Sequence, residues 1–195
     1  MGIISTALMG LFVLSGLSGS PAFALASTTP SATYIENVGF TVGMTGYNAV
    51  PEQTDGDPFM TASGAYSNPE VVAARSQDLA DTLPFGTVIS VTPPENESSE
   101  CGASLVDDDI GLRVIADSMH YRKREQIDIL LSTEKTVRAH GKHVNPAVAL
   151  GVCKGVVIHV VGMIDIRHMP KNQEELRAQV GYLPKAEAQS LAVSK

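Results

Sequence analysis

The chain has 195 residues, 44% of them apolar, with 17 Gly and 11 Pro to make turns, enough for the core of one ordinary domain plus appendages. Its formal net charge of −7 excludes a general nucleic-acid binder, which needs a basic surface to displace counterions. The basic cluster Arg122-Lys123-Arg124 is the size of a solvated turn.

Residues 3–17 form an apolar run followed by Ser18-Gly19-Ser20-Pro21 and the small-residue segment Ala22-Phe23-Ala24-Leu25-Ala26. A short apolar core, a Pro turn and an Ala-x-Ala spacing predict a secretory signal peptide over residues 1–26, although no Lys or Arg precedes the core. The run is short for a membrane span, so an uncleaved anchor is the weaker alternative. Residues 27–37, rich in Ser, Thr and Pro, read as a linker.

From Val38 the signals are those of strands. Gly39-Phe40-Thr41-Val42-Gly43-Met44-Thr45-Gly46-Tyr47 predicts a strand with glycines at close backbone approaches. A polar loop over 51–58 leads to an extended segment over 59–64, and Val71-Val72-Ala73-Ala74 reads as a short buried strand. Residues 77–82 suit a helical turn, and Pro84 with Gly86 bends the chain into the strand Val88-Ile89-Ser90-Val91. Residues 92–104 form an acidic loop. Asp107-Asp108-Asp109 lacks the glycine and further ligands of a calcium loop and reads as a solvated turn.

Two apolar runs follow, each carrying an aspartate where a strand prefers an aliphatic residue. Val114-Ile115-Ala116 ends in Asp117, and Asp128 sits between Ile127 and Ile129 with Leu130 and Leu131 behind it. A carboxylate in that setting loses hydration, which raises its pKa or costs several kcal/mol. General acids are made this way, and structural ion pairs also are. The loop over 118–126 is short enough to fold the second run back near the first, so that both carboxylates share one cleft.

Residues 133–140 are expected to be helical, with Glu134, Lys135 and Arg138 outward, and 145–150 to form a second short helix. His140 and His143 have i, i+3 spacing without a third partner and read as surface residues. Residues 155–164 predict a strand buried on both faces. Within it, His159 reads as a core or rim histidine. Residues 172–180 suit a polar helix, and 185–195 a tail. Cys101 and Cys153 are not spaced like metal ligands, and in an exported protein such a pair is expected to form a disulfide. Many short strands with turns every ten or so residues predict a mainly β protein, a small barrel or sandwich.

Four stretches in order resemble a known family: Met44-Thr45-Gly46-Tyr47-Asn48, Thr61-Ala62-Ser63-Gly64, Leu83-Pro84-Phe85-Gly86-Thr87, and Ala116-Asp117 with Ile127-Asp128-Ile129. Together they look like the three-aspartate (3D) domain, related to the catalytic barrel of membrane-bound lytic transglycosylase A. The resemblance implies a six-stranded double-psi β-barrel with short peripheral helices over residues 38–166, followed by a polar helix and tail over 167–195. The chain departs from the family's pattern in three places. Arg75 occupies the slot of the family's first aspartate, with Asp78 the nearest acid. Ser118-Met119-His120 replaces the family's Thr-Gly-Gly, and residues 92–109 look like an insertion.

The implied activity is cleavage of O-glycosidic bonds in peptidoglycan, with glycan strands as the partner and no cofactor or metal. Asp128 would be the general acid and Asp117 its partner, with Thr61, Ser63, Tyr47 and His120 as contacts to the sugar. The alternative is a non-catalytic carbohydrate-binding barrel of the expansin-like or rare-lipoprotein-like kind. Either reading expects an exported monomer in the periplasm, at the outer membrane or at the cell wall.

Overall fold

The computed structural model describes residues 39–54, 56–96 and 98–182. The expected signal peptide, linker and final tail lie outside the described residues. Strands β1 (Gly39–Tyr47), β2 (Val72–Arg75), β3 (Thr87–Thr92), β4 (Arg113–Ser118), β5 (Gln126–Leu130) and β8 (Cys153–Met163) close into a barrel in the order β1-β5-β2-β4-β3-β8. The pairs β1/β5 and β2/β4 are parallel and the remaining barrel pairs antiparallel. Strands β6 (Val137–Ala139) and β7 (Lys142–Val144) form a separate hairpin. The helices α1 (Asp107–Ile110), α2 (Pro146–Leu150) and α3 (Gln173–Val180) are short. The fold is mainly β, a closed six-stranded barrel with peripheral helices.

Strand alternation divides the apolar residues between two faces. Val42, Met44, Ala73, Ile115, Ile127, Ile129, Val156 and Ile158 fill the barrel interior. Val72, Ala74, Val114, Ala116 and Leu130 point outward into a second apolar layer with Tyr47, Val71 and Leu176. Helix α3 covers part of that outer layer. Its Leu176 is fully buried, and Gln173 clasps Leu112 by accepting from its N–H at 2.9 Å and donating to its carbonyl at 2.8 Å. The described segment 167–182 is therefore part of the wall of the barrel domain.

Three expectations about local structure are corrected. Residues 133–140 are not helical: Val137–Ala139 pairs with Lys142–Val144 across a two-residue turn. His140 (φ 49°) and Gly141 (φ 77°) both take the left-handed conformation, which two-residue hairpin turns require and a helix forbids. The long strand β8 is not buried on both faces. Val156 and Ile158 are buried, Val157 and Val161 are partly covered, and Met163 is exposed. The three aspartates at 107–109 lie in the single helical turn of α1 rather than in an open turn.

Two features brace the barrel. A disulfide joins Cys101 to Cys153, 52 residues apart, and cross-linking a loop of that length stabilises the fold by about 4 kcal/mol in the chain-entropy account. Cys153 lies in register with Met44, so the link anchors the junction of β8 with β1. The Arg113 side chain is fully buried, and its guanidinium donates to the carbonyls of Ile110 (2.5 Å), Pro69 (2.7 Å), Leu130 (3.1 Å), Val72 (3.3 Å) and Asp109. Burial lowers its pKa to about 10, so it stays protonated at neutral pH. It ties α1, β2 and β5 together through their backbones, where the planar fork of donors suits an array of carbonyls.

Arg113→Met keeps an unbranched apolar stem but leaves those carbonyls without a donor. The variant should lose about 3 kcal/mol or more of folding stability in urea titrations. A variant as stable as the parent would contradict the bracing role.

Candidate active site

The candidate site is set by strand register. Ala74 of β2 lies opposite Asp117 on one side and opposite Asp128 on the other, and Asp128 in turn lies opposite Thr45. Residues in register across neighbouring strands point to the same face, so Asp117, Ala74, Asp128 and Thr45 form one row across four strands. Met44, Ala73, Ile127 and Ile129 fill the interior, so this row faces outward.

Asp117 joins the row only because β4 is irregular. Ala73 pairs with Ile115, but Ala74 pairs with Asp117, with a register shift between them. In an unbroken strand Ala116 would oppose Ala74 and Asp117 would point into the apolar interior. One extra residue in β4 turns its carboxylate outward, as bulges beside functional sites do.

Asp117, Ala74 and Asp128 of this row floor a cleft of about 800 Å³. Its walls come from the loop after β1 (Glu52, Gln53, Thr54, Asp57), the 60–62 segment (Met60, Thr61, Ala62), and the end of β4 with the loop to β5 (Ser118, then Met119, His120, Tyr121, Lys123). The buried Ala74 methyl forms the floor between the two carboxylates.

The two carboxylates have different surroundings. Asp117 faces three donors: the Tyr47 hydroxyl at 2.9 Å, the Ala62 N–H at 2.9 Å and the Ser118 N–H at 2.8 Å. It is oriented as an acceptor only. Asp128 accepts one hydrogen bond, from the Thr45 hydroxyl at 2.9 Å. Burial pushes its pKa up to about 6, against the downward pull of Thr45 and Lys123, with Asp117 adding to the rise. Two carboxyls with different environments on one cleft are the arrangement from which distinct acid and anion roles arise. The Tyr47 phenol is held well above its ordinary pKa, first by burial and then by Asp117, so it acts as a donor.

Of the residues singled out in the sequence, Asp117, Asp128, Thr61, Tyr47 and His120 line the cleft. Ser63 does not. Its hydroxyl lies 3.0 Å from that of Thr61, which donates to the Ala65 carbonyl at 3.1 Å, and its N–H holds the Ala116 carbonyl at 3.1 Å. Ser63 thus supports the wall and the bulged part of β4 from behind. Arg75, one residue beyond Ala74, turns to the interior side, where it donates to the Leu83 carbonyl at 3.0 Å and lies 5.0 Å from the Phe85 ring centroid. Asp78 caps the Glu125 N–H at 2.9 Å and is not part of the cleft lining.

Sequence reasoning missed Thr45 as a partner of Asp128, and Lys123 and Ala62 as cleft residues. The signal for Thr45 was its i, i+2 spacing from Tyr47 in β1, which places both on one face. Among the described residues, no group of three or more His, Cys, Asp or Glu could hold a metal ion. The chain matches no protein-family model and no curated protein.

A pKa raised from 3.8 to about 6 means that the folded chain holds the Asp128 proton to a higher pH than the unfolded chain does. Its effect on stability is therefore unfavourable at high pH. Stability should fall by about 2–3 kcal/mol as pH rises from about 4 through about 6. Denaturant titrations at several pH values check this, and in Asp128→Asn that part of the decline should disappear.

Proposed function

We propose that this chain cleaves O-glycosidic bonds in the glycan strands of peptidoglycan, as an exported, cell-wall-facing monomer. The observation that carries the reading is the single row in which Asp117 and Asp128 flank Ala74 at the floor of one cleft. The order of short motifs shared with three-aspartate domains adds support, as does a closed six-stranded barrel, the coarse architecture that a double-psi barrel would have.

Asp128, protonated below about pH 6, gives its proton to the bridging oxygen between N-acetylmuramic acid and N-acetylglucosamine as the sugar develops oxocarbenium character. As a carboxylate it then takes the proton of the sugar's own 6-hydroxyl, whose oxygen closes on the anomeric carbon to give an anhydro product. Asp117, fixed by its three donors, faces the developing cation and stabilises it electrostatically. Residues two strands apart have Cα atoms about 10 Å apart, twice the strand spacing, which leaves a gap over the Ala74 methyl for a sugar ring. Thr61, Tyr121 and His120 on the walls are the hydroxyl, aromatic and imidazole contacts to the sugar.

A second reading, a non-catalytic carbohydrate-binding barrel, is favoured by Arg75 in place of the family's first aspartate. Against it, position 75 faces the interior side, so the replacement takes no group from the cleft.

Mass spectrometry of soluble fragments released from insoluble peptidoglycan tests the proposal. The parent chain should release muropeptides, one water lighter than hydrolytic products, with a rate that falls as pH rises through about 6. Asp128→Asn should lose roughly two to four orders of magnitude of release, and Asp117→Asn should lose less. Full release by Asp128→Asn would refute the assignment. Binding to peptidoglycan with no release by the parent chain would establish the non-catalytic reading.

A further inference from the structure

Two residues back along β1 and β5 from the Thr45–Asp128 pair, Gly43 lies opposite Gln126. Val42 and Met44 point into the core, so position 43 faces outward, on the face that carries the aspartates. A side chain there would crowd Gln126, since a Cβ would come within 3.1 Å of its Cγ. Over Gly43 opens a hollow of about 270 Å³ walled by Thr41, Arg124, Glu125, Gln126 and Lys154. The strand rise of about 3.4 Å per residue puts it about 7 Å from the aspartate row.

Two backbone irregularities supply the cations. The β1–β8 register shifts between Val42 and Met44, and the extra residues opposite Gly43 are Lys154 and Gly155, the latter at φ 74°. On the other side Glu125 adopts φ 49° and its carbonyl accepts from the Gly43 N–H at 2.8 Å, which fixes Arg124 at the rim. Arg124 and Lys154 are exposed, and neither forms an ion pair among the described residues. Glu125 is the one acid in the lining of the hollow, and Asp78 just outside it, capping the Glu125 N–H, also acts on Arg124. The adjoining cleft has the opposite balance, with Glu52, Asp57, Asp117 and Asp128 against Lys123.

We propose that this hollow, on the same face as the aspartate row, is an anion subsite taking a carboxylate substituent carried by the glycan. The inference rests on the glycan-cleaving reading and adds to it a preference for an acidic polymer. Uncharged sugar lies over the aspartate row, where a further anion would be repelled. The substituent's charge is placed on the same face where two exposed cations, Arg124 and Lys154, stand against one acid of the lining. That carboxylate belongs either to the sugar or to a peptide attached to it.

The test measures equilibrium binding to the full chain carrying Asp128→Asn, so that ligands stay intact. Three probes are used: a neutral N-acetylglucosamine oligomer, a peptide-free glycan containing muramic acid, and a glycan with its peptides. Adding Arg124→Gln and Lys154→Gln together should weaken binding of a carboxylate-bearing probe by about tenfold and reduce its salt dependence. Affinity for the neutral oligomer should not change, which also shows that the variant is folded. Loss on the peptide-free glycan assigns the sugar's carboxylate, and loss confined to the peptide-bearing one assigns the peptide's. Unchanged affinity for all three probes, or equal loss on all three, would overturn the subsite and leave the glycan reading standing. Failure of the parent chain to bind any of them would overturn both.

Discussion

Everything in the candidate site depends on the position of Ala74 in β2. This strand is parallel to β4 and antiparallel to β5, so a single small residue is in register with Asp117 on one side and Asp128 on the other. A β-branched or longer side chain at that position would fill the space between the carboxylates, whereas the methyl leaves a floor. The irregularity in β4 completes the arrangement. Without it Asp117 would enter the apolar interior, where an unpaired carboxylate costs several kcal/mol. The Ser63 N–H that holds the Ala116 carbonyl and the Ala62 N–H that holds Asp117 stabilise the bulge from the loop side, so loop and strand specify one another.

The site also carries a cost to stability in this barrel. Asp128 is kept in a largely desolvated position with one neutral hydrogen-bond donor, which disfavours its charge. Asp117, two strands away in the same row, has three donors. The structure offsets the unfavourable carboxyl elsewhere, through the Cys101–Cys153 link and the Arg113 guanidinium gripping backbone carbonyls of three elements. Neither brace lines the cleft, so they hold the strands in register without adding a charged group to its walls.

Much of this was legible in the residues themselves. An aspartate between two isoleucines is conspicuous because it breaks the apolar pattern that a strand core demands, and the short strands with Gly and Pro turns indicated a mainly β protein, a small barrel or sandwich. Long-range register was not legible. Thr45 and Asp128 are 83 residues apart, and no local pattern states that β1 pairs with β5 in parallel. The bulge at Asp117 was hidden because alternation alone predicts the opposite face. Arg113 looks like an ordinary strand-edge charge, since backbone carbonyls, its partners, carry no signature in a sequence. Residues 133–140 failed as a helix for a local reason: His140-Gly141 makes a tight turn, and its left-handed demand outweighs the charge pattern before it.

The central claim is that the fold makes Asp128, at the floor of the cleft, an acid that keeps its proton up to about pH 6. Carboxyl carbon NMR of the chain labelled at aspartate, followed through a pH titration, reads this directly, with Asp128→Asn assigning the resonance. The account predicts that the Asp128 carboxyl titrates at about pH 6 and moves lower when Asp117 is replaced by Asn. Titration of Asp128 in the ordinary carboxylate range of about 4, unaffected by position 117, would contradict it.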